Sequence, residues 1–473
     1  MEKPLVYLQS LVRAPVVVVL GHVDHGKTTL LDYIRRTRIA QKEAGGITQG
    51  IGASVVTTKE GKNITFIDTP GHATFSNMRS QGAKIADIAI LVVAADDGVK
   101  PQTREALEHI LACNIPFVVA ATKMDLPGVT SQLVKSQLEK EGVLFEGSGG
   151  EVPLIEVSAK VGSGIDNVLE MITLLADLKG ISGNAPGPLE AVIFEVGKDK
   201  RGATASVIVK NGSLKVGDYV ITQDAKAKVR ALFDYLGKPT PQVLPGEPCL
   251  ILGFDNPPLL GSNLWHENQS HALSEKPEQR QVLQKTDDTS ALKVILKAKT
   301  SGSLDAIIKN IPTTCHIVSS SVGDVNESDI FLAKVARARI FTFEINVPQT
   351  MLKLAQTEGI DLESFDIVYK LFERITEILK KDEIKILGKA KIVAIFPFEN
   401  KKVAGCKVVQ GMLSLGQSLT LLKGDKEVGK VKVLSIKKQK TEVPSVKEGE
   451  ECGILFVPQL DFEVNDVLIS VGN

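Results

Sequence analysis

A chain of 473 residues is too long for one hydrophobic core and supplies about three or four domains. With 43% apolar and 24% charged residues the mixture is that of an ordinary soluble protein, and a formal net charge of zero excludes a global field drawing the chain to nucleic acid, so any RNA contact rests on a local patch. The five cysteines, Cys113, Cys249, Cys315, Cys406 and Cys452, form no CxxC pair, which excludes a disulfide framework or a zinc site and fits a reducing cytoplasm.

At the N-terminus Glu2 and Lys3 follow Met1 without a signal-peptide pattern, and no apolar run in the chain reaches membrane-spanning length. Residues 12–182 alternate apolar runs with amphipathic segments. Strands are expected at Pro15–Leu20, Ile64–Asp68, Ile88–Ala94, Pro116–Ala121 and Leu154–Val157, with a helix over Thr28–Arg36. Such βαβ alternation predicts a mostly parallel sheet covered by helices.

The breaker cluster Asn184–Pro188 marks a domain boundary. Beyond it an internal repeat appears. VKNGSLKVGD at Val209–Asp218 matches VVQGMLSLGQ at Val408–Gln417, and GEPCLIL at Gly246–Leu252 matches GEECGIL at Gly449–Leu455, in the same order within each copy. The repeat predicts two related β-barrels, at 186–265 and 384–473, whose closure removes sheet edges. Residues 266–289 read as a polar linker. Residues 290–350 read as a small α/β unit with strands at Leu292–Ala298 and Ile340–Ile345. In the connecting segment 351–383, Val368, Leu371, Phe372, Ile375, Ile378 and Leu379 share one face of a helix.

Gly21-His22-Val23-Asp24-His25-Gly26-Lys27-Thr28 fits a phosphate loop between a strand and a helix. Backbone N–H groups of Asp24, His25, Gly26 and Thr29 are expected to cradle phosphates, Lys27 to reach the β- and γ-phosphates, and Thr28 to ligate Mg²⁺. Asp68-Thr69-Pro70-Gly71-His72 follows the next strand. Asp68 approaches the metal through water, Gly71 offers an N–H to the γ-phosphate, and His72 orients the attacking water. Between them, Glu43–Gly50 is a glycine-rich first-switch candidate in which Thr48 offers a second hydroxyl to Mg²⁺. Thr122-Lys123-Met124-Asp125 ends a strand: the Asp125 carboxylate accepts two N–H bonds from guanine and the Lys123 stem covers the base. Ser158-Ala159-Lys160 completes that pocket. The expected cofactors are therefore GTP or GDP and Mg²⁺.

With those motifs in place, the chain resembles the translational GTPases, and among them bacterial translation initiation factor two. GHVDHGKTTLLD, EAGGITQ, DTPGHATFSNMR and AADDGVKPQTREAL resemble that family's GTPase domain. The likeness continues through VGKDKRGATASVIVKNGSLKVGD, VRALFDYLGKP, VGDVNESDIFLA, AGCKVVQGMLSLG and EGEECGILF. It implies an α/β P-loop GTPase domain, a β-barrel, a small α/β domain, a connecting helix and a second β-barrel. It also implies a monomeric GTPase that brings formylmethionyl initiator tRNA to the small ribosomal subunit, meets the large subunit and works beside other initiation factors.

By the same resemblance, the last barrel holds the formylmethionine and acceptor end through Gly405, Cys406, Lys437, Lys438, Lys440, Glu451, Cys452 and Gly453. A partly apolar pocket near the two cysteines is expected, because formylation removes the amine's charge. Seven lysines against two acids between Lys423 and Lys440 fit contact with an RNA backbone. The chain departs from the family pattern at Thr122, where Asn is usual, at Gly50, where His is usual, and at Gln439, where an aromatic is usual. The family's long N-terminal extension is not seen before residue 12. Two other readings stay open: another translational GTPase such as a selenocysteine-specific elongation factor, and a ribosome- or RNA-binding module with a degenerate GTP site.

Overall fold

The computed structural model describes residues 13–37, 48–269, 292–382, 386–398, 401–424, 426–439 and 441–471. The expected linker therefore lies almost wholly outside the described residues, as do Glu43–Ile47 of the first-switch candidate and Lys440. The chain forms two compact units, residues 1–373 and 374–473.

The first unit begins with a six-stranded sheet. Its strands are β1 (Val16–Gly21), β2 (Gly52–Thr57), β3 (Asn63–Asp68), β4 (Ile88–Ala94), β5 (Phe117–Thr122) and β6 (Leu154–Glu156), in the order β2-β3-β1-β4-β5-β6. All pairings are parallel except that of β2 with β3. The runs VVVVLG and IAILVVA make β1 and β4 buried at every residue, as central strands covered on both faces must be. Helices α1 (Lys27–Arg35), α2 (Ser76–Ile85), α3 (Pro101–Cys113), α4 (Gln132–Lys140) and α5 (Ile165–Leu178) supply that cover. Leu30, Leu31 and Ile34 of α1 and Ile165, Val168 and Ile172 of α5 pack on Val17, Val19, Ile88 and Ile90. Strand β2 was not expected from the sequence: GASVVT is half-exposed at the sheet edge and carries no apolar run.

The next six strands close on themselves. Glu190–Asp199 pairs Gly202–Asn211, which pairs Pro248–Phe254, then Lys226–Phe233, Tyr219–Ile221, Asn263–His266 and back to Glu190–Asp199. The last of these strands ends at His266, one residue into the segment read as linker. A partly buried charge cluster joins this barrel to the first domain. Arg13 Nη1 donates to Asp87 Oδ2 at 2.7 Å and Lys210 Nζ to Asp87 Oδ1 at 2.9 Å. Burial opposes ionisation of Asp87, but Arg13 and Lys210 outweigh it and hold the carboxyl below the usual range.

A four-stranded parallel sheet completes the unit, in the order Cys315–Val322, Leu292–Ala298, Arg339–Phe343, Leu362–Phe365. The sequence reading ended this α/β unit at 350. The pairing of Ile340 with Leu362 through Phe343 with Phe365 carries it to Phe365. The helix Val368–Asp382 follows, burying Val368, Leu371, Ile375 and Ile378.

The second unit closes a barrel in the same strand order as the first. Ile386–Phe398 pairs Lys401–Ser414, then Glu451–Val457, Lys426–Lys438, Ser418–Lys423, Val467–Val471 and back. The duplicated motifs make duplicated bonds. Gly246 N–H donates to Val209 O at 2.7 Å and Gly449 N–H to Val408 O at 2.9 Å. Lys215 N–H donates to Asp218 Oδ2 at 2.7 Å, and Ser414 N–H to Gln417 Oε1 at 2.8 Å. The repeat therefore encodes the same turns twice.

Candidate functional site

Strand β1 ends at Gly21, and the chain turns through Asp24 and Gly26 into α1. Gly26 is the N-cap of α1 at φ 88°, a left-handed conformation that glycine adopts without a Cβ penalty. The first-turn N–H groups of α1 thus face a cavity of about 140 Å³, lined by Asp24, Gly26, Lys27, Thr28 and Thr29 from the loop and by Thr48, Gly71 and His72 from the switch candidates. His25 departs from this set. Its ring is 1% exposed, lies 3.4 Å from Asp97 and, chiefly through burial, has its pKa lowered to about 4. Only its backbone is available to a phosphate.

The Lys27 ammonium donates to the His22 carbonyl at 2.5 Å. Burial lowers its pKa to about 8, with Asp68 opposing, so an incoming phosphate would favour its charged form. A Cβ at Gly71 would stand 2.3 Å from Lys27 Nζ, so the backbone of the second switch lies against that amine only because residue 71 has no side chain.

The two hydroxyls expected to hold Mg²⁺ meet: Thr28 Oγ1 and Thr48 Oγ1 are 2.9 Å apart. Asp68 is buried, with one oxygen 3.8 Å from Arg35 and the other, Oδ1, without a hydrogen-bond partner among the described residues. Burial raises its pKa, with Arg35 and Lys27 opposing. Two hydroxyls and a buried orphan carboxylate oxygen are a donor set suited to Mg²⁺. The described residues contain no cluster of three His, Cys, Asp or Glu.

His72 caps the short helical turn Ala73–Phe75. Its Nδ1 accepts from the Thr74 N–H at 3.2 Å and lies 3.0 Å from Thr74 Oγ1. Burial, then Arg79 and His22, lower its pKa, so the ring is neutral at neutral pH with its proton on Nε2. That tautomer donates a hydrogen bond and suits orientation of a water rather than removal of its proton. Fully buried Arg79 holds the segment from behind. It donates to the Pro70 and His72 carbonyls and forks onto Glu105 with two bonds of 2.8 Å.

In the expected base-reading segment, Thr122 Oγ1 donates to the His25 carbonyl at 2.6 Å. The residue that departs from the family pattern thus ties the base-reading strand to the phosphate loop. Lys123 takes a left-handed φ of 61°, and its ammonium lies 3.2 Å from Asp96. Ser158 Oγ donates to Asp125 Oδ1 at 2.7 Å, and the exposed Lys160 ammonium lies 4.0 Å from Asp125. The Ser158 hydrogen bond chiefly holds the Asp125 carboxyl below its usual range, against burial, with its own backbone N–H and Lys160 adding smaller effects in the same direction. The carboxylate is thus kept ionised as a double acceptor, with Ala159 following Ser158 in the same loop.

In the last barrel the two cysteines of the expected set lie inside. Cys406 and Cys452 are cross-strand partners buried at 0% and 6% among the core residues, and burial raises both thiols, Cys452 to about 11. Strand alternation points Ala404, Cys406 and Val408 inward, so the thiols face the barrel core. Beside them, Lys437 is exposed, Gly453 half-buried and Gly405 buried. Lys437, Gly453 and Gly405 follow one another across three neighbouring strands. Phe396, 54% exposed, lies over Gly405, where a Cβ would meet its ring at 2.7 Å.

Gln439 supplies no ring, but the Phe398 ring lies 5.7 Å from the Lys437 ammonium. An aromatic surface thus stands beside the basic residues after all. Three lysines of this face are balanced: Lys423 donates to Glu463 and Lys438 to Glu450, both at 2.7 Å, and Lys437 lies 3.9 Å from Glu442. Glu451 is exposed opposite Lys407.

Comparison with known proteins follows the same division. Residues 12–177 match the elongation factor Tu GTP binding domain, residues 188–267 the elongation factor G domain 2, and residues 267–376 translation-initiation factor 2. Translation initiation factor IF-2 of Thermus thermophilus is 38% identical, over 96% of this chain and 86% of its own length. The chain belongs to the translation initiation factor IF-2 family.

The IF-2 of Thermotoga sp. (strain RQ2) is 39% identical over 96% of this chain and 71% of its own. That of Aquifex aeolicus is 37% identical over 96% of this chain, and the chain spans 60% of that relative's length. Among solved structures, GDP-bound aIF5B from Aeropyrum pernix is 26% identical with a TM-score of 0.46, covering 98% of this chain and 92% of its own. Family membership rests on the sequence relatives.

In this IF-2 family chain, two contacts tie the switch candidates to residues far along the chain. Gln49 is 5% exposed; its Nε2 donates to Asp366 O at 2.7 Å, and its Oε1 accepts from Val368 N–H at 3.1 Å. Tyr369, next along, sets its ring edge-on to His72 with centroids 4.4 Å apart. Neither has a local sequence signal, because the partners lie about 300 residues apart in the chain.

Proposed function

We propose that the chain is a GTP-dependent translation initiation factor that binds formylmethionyl initiator tRNA on the small ribosomal subunit, promotes subunit joining and hydrolyses GTP on the ribosome. The observation that carries the GTPase half is the meeting of Thr28 and Thr48 hydroxyls beside the cavity that Lys27, Gly71 and His72 also line. A first switch whose hydroxyl stands at the metal position responds to whether a γ-phosphate is present.

Thr28 and Thr48 would hold Mg²⁺ directly and Asp68 through water; when bound, the ion supplies charge neutralisation at the β- and γ-phosphates. Lys27 and the α1 N–H groups bind the triphosphate. The Gly71 N–H meets the γ-phosphate, and neutral His72 orients a water through Nε2–H. Arg79 fixes the backbone that carries both. Asp125 selects guanine by accepting two N–H bonds, which adenine does not offer in that pattern. Phosphoryl transfer of this kind depends on positioning, so hydrolysis is slow until the ribosome sets His72.

The tRNA half is supported by the outer face of the last barrel. The glycine floor at Gly405 and Gly453, with Phe396 over it, accepts an uncharged formylated amine more readily than an ammonium. Lys437 and Lys438, with Lys440, meet the acceptor-end phosphates. Cys406 and Cys452 then shape the barrel from within.

Titration of the full chain with formylated and unformylated methionyl initiator tRNA tests this reading. Preference for the formylated form supports it; equal binding removes the initiator-tRNA assignment. In parallel, a His72→Ala chain is expected to bind GTP normally and to lose most ribosome-stimulated hydrolysis, and normal turnover rules out the role given to His72.

A further inference from the structure

One side chain in the phosphate cavity belongs to no nucleotide-binding motif. Tyr369, from the first turn of the helix Val368–Asp382, lines the cavity alongside Lys27, Thr48, Gly71 and His72. Its hydroxyl is buried and has no hydrogen-bond partner among the described residues. A buried phenol without a partner loses its bonds to water and regains nothing, unless a ligand supplies an acceptor.

The ring cannot simply swing away. It packs edge-on against His72 at 83° between planes. The backbone just before it is gripped by Gln49, which donates to the Asp366 carbonyl and accepts from the Val368 N–H. Tyr369 therefore sits on the His72 side of the cavity, at the end where a third phosphate differs from a second.

We propose that the Tyr369 hydroxyl donates a hydrogen bond to a γ-phosphate oxygen of GTP, making residue 369 a contact that tells GTP from GDP. The phosphate oxyanion is the acceptor the phenol lacks. GDP, one phosphoryl group shorter, leaves the hydroxyl unpaired. By linkage, GTP holds the segment 366–369 more firmly than GDP does, and a chain in which that segment is held in place binds GTP better by the same factor. Gln49 makes the coupling two-sided, since the first switch and Tyr369 grip the same few residues.

The proposal rests on the GTPase reading above, and the test separates the two. Wild-type and Tyr369→Phe full-length chains are titrated with fluorescent GDP and a non-hydrolysable GTP analogue in Mg²⁺, with thermal unfolding recorded for both. Phenylalanine keeps the ring and its contact with His72 and removes only the hydroxyl. The expected result is a loss of about tenfold in analogue affinity, the scale of one hydrogen bond to a charged acceptor, with GDP affinity within about twofold of wild type.

Equal weakening of both nucleotides, or no change in either, overturns the assignment. Unchanged analogue affinity with slowed turnover also overturns it, because the hydroxyl would then serve the attacking water and not the phosphate. If the wild-type chain binds neither nucleotide, the GTPase reading falls and takes this one with it. Gln49→Ala supplies a second arm. It removes no γ-phosphate contact itself, yet it is expected to weaken the analogue in preference to GDP, and an effect equal on both nucleotides counts against the coupling.

Discussion

The Thr122→Val substitution probes the place where this chain leaves its family's guanine motif. Thr122 ends β5 at 3% exposure and gives its only hydroxyl proton to the His25 carbonyl, 2.6 Å away and buried. Valine keeps the branched shape, so the packing of β5 is preserved and one donor is lost. A buried carbonyl left without its partner costs about 1–3 kcal/mol. His25 immediately precedes the left-handed Gly26 that opens α1, so the loosened carbonyl lies in the loop whose conformation the phosphates require. Where that cost falls on the bound loop, nucleotide affinity drops roughly five- to 150-fold.

The bond lies under the loop and not beside His72, so GDP and GTP should weaken together, within about twofold of each other on the scale of that one bond. Titration with fluorescent GDP and GTP, alongside thermal unfolding, measures this directly. Unchanged affinity together with unchanged stability would refute the tether, and so would a loss confined to GTP. Thr122→Asn, whose amide keeps a donor, should bind nucleotide close to wild type.

Asp125→Asn should weaken GTP by roughly tenfold or more, since one amide oxygen replaces a double acceptor, and should raise affinity for xanthosine triphosphate, whose base offers a carbonyl to the new amide donor; competition binding with the two nucleotides reads both changes. Glu195 gives a pH prediction. Its Oε1 accepts from the Val196 and Gly302 N–H groups, its Oε2 has no partner among the described residues, and burial raises its pKa from 4.5 to about 7. The folded chain therefore holds a proton there that the unfolded chain releases. The stability this contributes is full below pH 4.5 and is lost as pH rises through about 7. Glu195→Gln mimics the protonated form and should be close to neutral near pH 5 but stabilising by up to about 3 kcal/mol at pH 8, as followed by denaturant unfolding. A benefit that does not grow with pH contradicts the burial of that carboxyl.

Much of this protein was legible in the linear sequence because the relevant physics is local. A phosphate loop needs only a strand, a glycine turn and a helix start within a dozen residues, and Val16–Gly21, Gly26 and Lys27–Arg35 provide them. The two barrels were legible because the same turn bonds, Gly246 to Val209 and Gly449 to Val408, require the same residues twice. Even the fate of Cys406 was written in its strand: Ala404, Cys406 and Val408 alternate with Gly405 and the exposed Lys407, which puts the thiol inside. Strands with weak apolar patterns escaped: GASVVT at the edge of the first sheet, CHIVSSSV with its three serines, and the four-residue LESF. Each is specified by the neighbour it pairs with and not by its own composition.

What only the tertiary structure decided is how the nucleotide site reaches the rest of the first unit. The grip of Gln49 on Asp366 and Val368 spans 317 and 319 positions, and the contact of Tyr369 with His72 is similarly remote. No periodicity or spacing rule extends across such an interval, because hydrogen bonds and ring contacts act over a few ångströms and the fold alone brings those residues within range. The sequence by itself determined that a guanine nucleotide site and a duplicated barrel exist. The packing of the first unit determined which residue, three hundred positions away, lines that site beside His72.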